Sequence, residues 1–319
     1  MGTWLRVASG LIVVAGFGCE SERTVGERLN PMVALQDAGQ PVFGLYAPLR
    51  VAAGGAPPPD PSAVKTPMEL AHETMGYASS DYVFNSSMEG GVERGLPDFQ
   101  DFMGAMLESG ASARKHPMVV KMEKISDDPD FAEHIGQQLN AGVRSIMFVH
   151  VESAEELRGG LAAMRFEANG GTRSGDVGSA PAYWGMNEEE YRERADLWPL
   201  DPDGELINWT VIESLEGLEK IREIASVPGI GVLWPGAGTL RGVFSATDSD
   251  GQRVLHEEEW ENAIQKVLSA CMEFDIACGY PAITNDIEMR MDQGFSVFVM
   301  NWGESGFEAI DTGRRAARR

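Results

Sequence analysis

The sequence predicts an α/β protein built as a (β/α)8 barrel, on three observations. Eight short, β-favouring apolar runs are separated by segments with helical periodicity, the alternation from which parallel strands and covering helices are made. The chain has 319 residues and is 43% hydrophobic, enough for one large core of the size such a barrel needs. The third observation is the stretch Asn208 to Gly242, NWTVIESLEGLEKIREIASVPGIGVLWPGAGTLRG, which reads as strand, helix, strand. Ile207, Trp209, Val211 and Ile212 are apolar and largely β-favouring, and Glu213 ends the run with a charge. Leu215, Leu218, Ile221, Ile224 and Ala225 recur at helical spacing opposite Glu216, Glu219, Lys220 and Glu223, and Pro228-Gly229 stops the helix. Ile230 to Trp234 is the next strand and runs into a glycine-rich loop, Pro235 to Gly242. Parallel strands joined by a helix end on one edge, so Glu213 and the Gly236 to Thr239 loop are expected to be neighbours. A carboxylate beside bare backbone amides is a place to hold a metal or an oxyanion.

From the start of the chain, Arg6 precedes the apolar run Val7 to Phe17, which is too short to span a bilayer and close to a secretory leader. The run ends in Gly16-Phe17-Gly18-Cys19, which resembles a bacterial lipoprotein processing site with Cys19 as the lipidated residue. Residues 1–19 are therefore read as a leader, 20–29 as a polar linker, 30–310 as the barrel and 311–319 as a basic tail. The expected location is the periplasm or, through a lipid anchor on Cys19, a membrane surface. An ordinary buried N-terminal helix is the alternative.

The barrel opens at Asn30 with a short helix, a turn at Gly39-Gln40-Pro41 and strand one, Val42 to Tyr46. Arg50 to Ala63 contains GGAPPPDP and forms neither regular element; it is a lid over the strand ends or a surface insertion. Met68 to Met75 is a helix, Asp81 to Phe84 strand two, and Asn85 to Gly91 a loop carrying Glu89. Phe99 to Leu107 is an amphipathic helix and Pro117 to Met122 strand three, with Lys121 near its end. Asp130 to Leu139, Ser145 to Val149 and Ala154 to Arg165 are helix, strand four and helix, and His150 and Glu152 stand at that strand's active end. Beyond the central unit, Ser245 to Val254 is a polar loop with a turn at DSDG, and Glu257 to Phe274 a long helix. Ile276 to Tyr280 is strand seven, Asn285 to Gln293 a helix closed by Gly294, and Phe295 to Met300 strand eight.

Lys+Arg 26 against Asp+Glu 49 gives a net charge of −23, which argues against nucleic acid or an anionic membrane as a partner. Arg314, Arg315, Arg318 and Arg319 are read as a solvated tail. Cys271 and Cys278, in a predicted helix and strand, are read as buried free thiols. Gly236 to Gly242 brushes against the dinucleotide-binding pattern, but its third glycine is one place late and it lies deep in the chain.

Three strings share one resemblance: Glu213 followed one strand later by Gly236-Ala237-Gly238-Thr239-Leu240, Val119-Val120-Lys121, and AGVRSIMFVHVESAEEL from Ala141 to Leu157. Together they resemble the HpcH/HpaI aldolase and citrate lyase family over roughly Asn30 to Trp302. The resemblance implies a barrel of the phosphoenolpyruvate/pyruvate-domain type, forming trimers or hexamers. It implies a carbon–carbon lyase in which a divalent metal, magnesium or manganese, assists aldol or retro-aldol cleavage of a pyruvate-like 2-keto acid adduct. Glu213 matches the family's first metal acid, and Thr239 stands where the second is an Asp. Lys121 takes the place of an Arg that polarises the keto oxygen, as a charge or, in a sharper reading, as a Schiff-base amine, the alternative being a structural ion pair. Glu89 falls where the family carries a proton-transferring His, as a replacement acid/base or metal ligand, or equally as a loop carboxylate with no chemistry. The amides of Gly236, Ala237, Gly238 and Thr239 are expected to bind the substrate carboxylate. The segment Phe166 to Ala195 resembles a family connection that crosses the mouth, with Arg173 gripping a substrate carboxylate or held in a loop-internal ion pair, and Tyr183 and Trp184 lining the pocket or a subunit contact. The rival reading is an exported, catalytically altered barrel that binds a keto or dicarboxylic acid without cleaving it.

Overall fold

A computed structural model describes residues 28–50 and 64–319. The leader, Cys19, most of the linker and most of the Arg50 to Ala63 segment lie outside the described residues. Eight parallel strands close into a barrel: β1 (Val42–Tyr46), β2 (Tyr82–Met88), β3 (Met118–Met122), β4 (Ser145–Phe148), β5 (Leu206–Ile212), β6 (Ile230–Pro235), β7 (Ala277–Pro281) and β8 (Val297–Met300). Each pairs with the next in sequence, and β8 returns to β1 with Val42 opposite Val297 and Leu45 opposite Met300. The helices are α1 (Pro31–Asp37), α2 (Pro67–Met75), α3 (Val92–Glu108), α4 (Phe131–Asn140), α5 (Ala154–Met164), α6 (Ala180–Trp184), α7 (Glu188–Arg194), α8 (Leu215–Glu219), α9 (Ile221–Ala225), α10 (Ala237–Val243), α11 (Glu257–Phe274), α12 (Ile287–Gln293) and α13 (Glu304–Ala316). None of the described helices is long and apolar enough to cross a membrane.

Alternate strand residues divide the core in two, as the two-residue period of a strand requires. One set, including Phe84, Val119, Met147, Trp209, Val232, Trp234 and Val299, fills the barrel, and a larger set packs the strands against the helices. Trp209 and Trp234 stack inside with ring centroids 5.3 Å apart. Gly279 on β7 has no side chain because the Trp234 ring occupies the place where its Cβ would stand.

Several expectations are revised. The β2 strand runs on through Asn85 to Met88, across an irregularity in its pairing with β3. α3 starts at Val92, seven residues early, because the Glu123 carboxylate on the neighbouring connection accepts the Val92 N–H at 2.9 Å. The 245–254 loop contains an antiparallel hairpin, Ser245–Thr247 with Arg253–Leu255, about the expected turn. The glycine-rich stretch after β6 is α10 rather than a loop.

The segment after α5 does not cross the mouth. Helices of a barrel run back against the strands, so α5 ends at the strands' N-terminal edge and the connection beyond it spans that floor. There Tyr183 Oη donates to the His116 carbonyl before β3, at 2.9 Å, and Trp184 Nε1 to the Gly142 carbonyl before β4, at 3.0 Å. The Arg144 guanidinium lies 3.3 Å over the Trp184 ring. Burial pulls its pKa down to about 9. Two more residues of the excursion, Leu197–Trp198, pair with the start of β5.

The basic tail is not free in solvent. Residues 311–316 complete α13, and Arg314 and Arg319 both pair with Asp81, at 3.1 and 2.8 Å, where Asp81 also accepts the Phe43 N–H. The two cysteines are not free thiols either. A turn at Asp275, with φ 54°, reverses the chain between α11 and β7 and brings Cys271 and Cys278 to a Cα separation of 5.7 Å, joined as a disulfide.

Candidate active site

A cavity of about 180 Å³ opens at the C-terminal ends of the strands, lined by Tyr46, Lys121, Glu213, Trp234 and the Gly236 to Thr239 turn above an apolar floor. This is the end at which barrels of this type carry out chemistry. Glu213 is the one carboxylate in that lining, and it is 3% exposed. It follows β5 directly, so its side chain is fixed by the strand rather than by a loop.

Two neighbours hold it. Its Oε1 accepts the His150 backbone N–H at 3.1 Å, with His150 Nε2 at 3.6 Å from the same oxygen. His150 follows β4 at φ 49°, a left-handed conformation unfavourable for a non-glycine residue, and that conformation carries its N–H onto Glu213. On the other side is Gly236, whose φ of −71° is ordinary. An added Cβ there would stand 2.5 Å from Glu213 Oε2, so Gly236 is required for the space it leaves. Its N–H is already given to the Ile212 carbonyl at 2.9 Å. That corrects the expectation that Gly236 donates to a ligand. Ala237, Gly238 and Thr239 form the first turn of α10, where amides have no acceptor inside the helix. Thr239 is exposed at the rim.

Lys121 reaches the cavity from β3 and is bound at 2.5 Å to Glu89, which stands at the rim just after β2 and is 48% exposed. A second rim pair, Lys124 with Glu152 at 2.5 Å, lies outside it. The Lys124 bond, followed by one from Ser214, lowers the Glu152 pKa, and the Lys124 pKa rises in return. Arg173 is not in this site. It lies on the floor, 3% exposed, bonded to Asn140 and Tyr191 at 2.8 and 3.0 Å and stacked over Phe166. It moved with its segment: once the connection belongs to the floor, no residue of it meets the mouth.

Tyr46 is the residue that reasoning from sequence missed. It closes β1 at the active end, its ring set edge-on to Phe84 at 4.7 Å, and its place as a strand's last residue was the available signal. Burial first, then the charges of Glu89 and Glu213, push its hydroxyl up to about 12. Away from the cavity lining, Glu123, Asp128 and His134 place potential ligand atoms within 4.8 Å of one another. His134 is already bonded to Asp128 at 2.7 Å, and Glu123 caps α3.

No family model matches the chain. A hydroxypyruvate/pyruvate aldolase from Paraburkholderia phytofirmans is 25% identical over 158 residues, 49% of this chain and 57% of that relative, so the match spans little more than half the relative's length. Among solved structures, an HpcH/HpaI aldolase/citrate lyase family protein from Burkholderia cenocepacia superposes with a TM-score of 0.60 at 19% identity, covering 91% of this chain and 98% of that one. The citrate lyase beta subunit of Mycobacterium tuberculosis, complexed with oxaloacetate and magnesium, superposes with a TM-score of 0.51 at 14% identity, covering 88% and 97%. The structural neighbours of this chain are thus HpcH/HpaI aldolase and citrate lyase beta subunit proteins, and the fold is their (β/α)8 barrel.

Proposed function

We propose that this chain is a carbon–carbon lyase that makes or breaks a bond at the carbon beside the keto group of a pyruvate-like 2-keto acid. The observation that carries the reading is the buried Glu213 carboxylate, held by His150 and given room by Gly236, in a strand-end cavity that also holds the Lys121 ammonium. The aldolase relative and the neighbour that binds oxaloacetate and magnesium support it.

Magnesium commonly uses one or two carboxylates and completes its shell with water and substrate oxygens, and the residues present fit that demand. Glu213 would hold the cation, with the Thr239 hydroxyl as a neutral donor, and the ion, magnesium or manganese, would supply Lewis-acid polarisation of the keto oxygen. The protein's own groups account for the rest. The first-turn amides of Ala237, Gly238 and Thr239 offer donors to the substrate carboxylate. Lys121 places a positive charge where negative charge grows on the keto oxygen as the carbon–carbon electrons shift toward it. Glu89, within hydrogen-bond reach of Lys121, takes the proton from the adduct's hydroxyl as the aldehyde leaves and returns one to the enolate carbon. The apolar floor of Phe84, Met147, Val211 and Val299 favours a small adduct and keeps water from the enolate.

Export and homo-oligomerisation, as a trimer or hexamer, belong to the same proposal. The Cys271–Cys278 disulfide supports an oxidising compartment, and mass analysis of the native N-terminus would show whether Cys19 is lipidated. The function is tested by measuring metal content, then pyruvate release from 4-hydroxy-2-oxo acids with magnesium or manganese, for wild type and Glu213→Ala. Metal-dependent release lost in Glu213→Ala is expected. Keto-acid binding with no release from any adduct would replace the lyase by a binding protein.

A further inference from the structure

Five of the six tyrosines spend their hydroxyl on a protein partner. Tyr77, Tyr82, Tyr183 and Tyr191 donate to the carbonyls of Phe307, Phe298, His116 and Leu139, and Tyr280 accepts from Arg290. Tyr46 alone has no hydrogen-bond partner for its hydroxyl among the described residues, yet its ring is fixed by Phe84 and lines the cavity. The Tyr46 hydroxyl is therefore not committed to an acceptor on the described residues and is open to a ligand in the cavity. The two carboxylates whose fields act on it, Glu89 and Glu213, are the acids flanking the place for substrate.

We propose that Tyr46 is a catalytic residue whose hydroxyl donates a hydrogen bond to the keto oxygen of the 2-keto acid, strongest when that oxygen becomes the enolate oxygen. This rests on the lyase reading. Tyr46 acts as a neutral donor in the same cavity as Lys121, and no bond to hydrogen is exchanged. Its placement also explains why the cavity tolerates a lysine where a forked donor would otherwise grip the keto oxygen. One cation and one neutral donor, on the separate strands β3 and β1, would share the task of a forked guanidinium.

The test uses Tyr46→Phe, which removes one oxygen atom facing a cavity and leaves the Phe84 contact; an unchanged melting temperature verifies the fold. Exchange of the pyruvate methyl protons in deuterated buffer, followed by proton NMR, reads enolate formation without knowledge of the aldehyde. Titration with oxalate, which resembles the enolate, and with pyruvate reads binding. The expected result is exchange slowed by roughly 10²-fold, the scale of removing one oxyanion donor, with oxalate affinity reduced more than pyruvate affinity. Wild type and Tyr46→Phe exchanging pyruvate at equal rates, or losing oxalate and pyruvate affinity equally, would overturn the role of Tyr46 while leaving the lyase reading in place. A wild-type protein that neither exchanges pyruvate nor binds oxalate would overturn both.

Discussion

Replacing Glu213 by Gln asks whether this acid serves the fold or the chemistry. The side chain is 3% exposed, and no arginine or lysine of the described residues comes within ion-pair distance; its nearest ionisable neighbour is the His150 ring at 3.6 Å. One backbone N–H, worth about 1.5–3 kcal/mol to a charged acceptor, is set against an effective desolvation penalty of several kcal/mol for a buried ion. An amide keeps the shape and can still accept the His150 N–H while shedding the charge. Glu213→Gln is therefore expected to leave the apo protein between unchanged and about 2 kcal/mol more stable, which at about 1.5–2 °C per kcal/mol for a chain of this length is a melting temperature from unchanged to roughly 3–4 °C higher. The assay is a pair of thermal melts, with chelator and with magnesium. The metal is expected to raise the melting temperature of wild type and not of the variant. A loss of more than about 2 kcal/mol in chelator would mean that the carboxylate is tied into the structure, and the argument for a cation there would fail.

Gly236→Ala puts a methyl 2.5 Å from Glu213 Oε2 and is expected to destabilise by about 1–3 kcal/mol and weaken magnesium binding, which calorimetry reads directly. Arg144→Met removes a fully buried guanidinium none of whose nitrogens has a hydrogen-bond partner among the described residues, against loss of its stacking on Trp184, and should raise stability by about 1–3 kcal/mol. Because the Arg144 pKa in the folded state is drawn down to about 9, the unfolded chain binds the extra proton above that pH and wild-type stability gains on the variant. The gap between the two melting curves should thus be widest below pH 9 and narrow above it. Reducing the Cys271–Cys278 bond, or replacing both residues, opens a loop of sequence separation 7 and should lower stability by about 2–3 kcal/mol, measured by melts with and without reductant.

The residues themselves made legible whatever depends on period and order. Eight apolar runs separated by helices define the barrel, and the strand–helix–strand unit from Ile207 to Trp234 was enough to bring Glu213 beside Gly236. Features that depend on three-dimensional neighbours were out of reach. The early start of α3 rests on a cap from Glu123, 31 positions away, and the disulfide on a reversal at Asp275. Arg173 shows a different limit: a resemblance in residue types does not say at which end of a barrel a connection lies. The direction of α5 does, and it had been legible. Tyr46 was passed over because a strand's last aromatic looks like core until its hydroxyl is found without a partner.

The floor excursion separates two kinds of damage. Tyr183, Trp184, Arg144 and Arg173 lie at the far end of the barrel from Glu213, with the stacked Trp209 and Trp234 rings between the strands. Loss of Tyr183, Trp184 or Arg173 should lower the number of intact molecules recovered from cells without altering how fast each survivor works, whereas loss of Glu213 or Lys121 should silence molecules that are recovered in full yield.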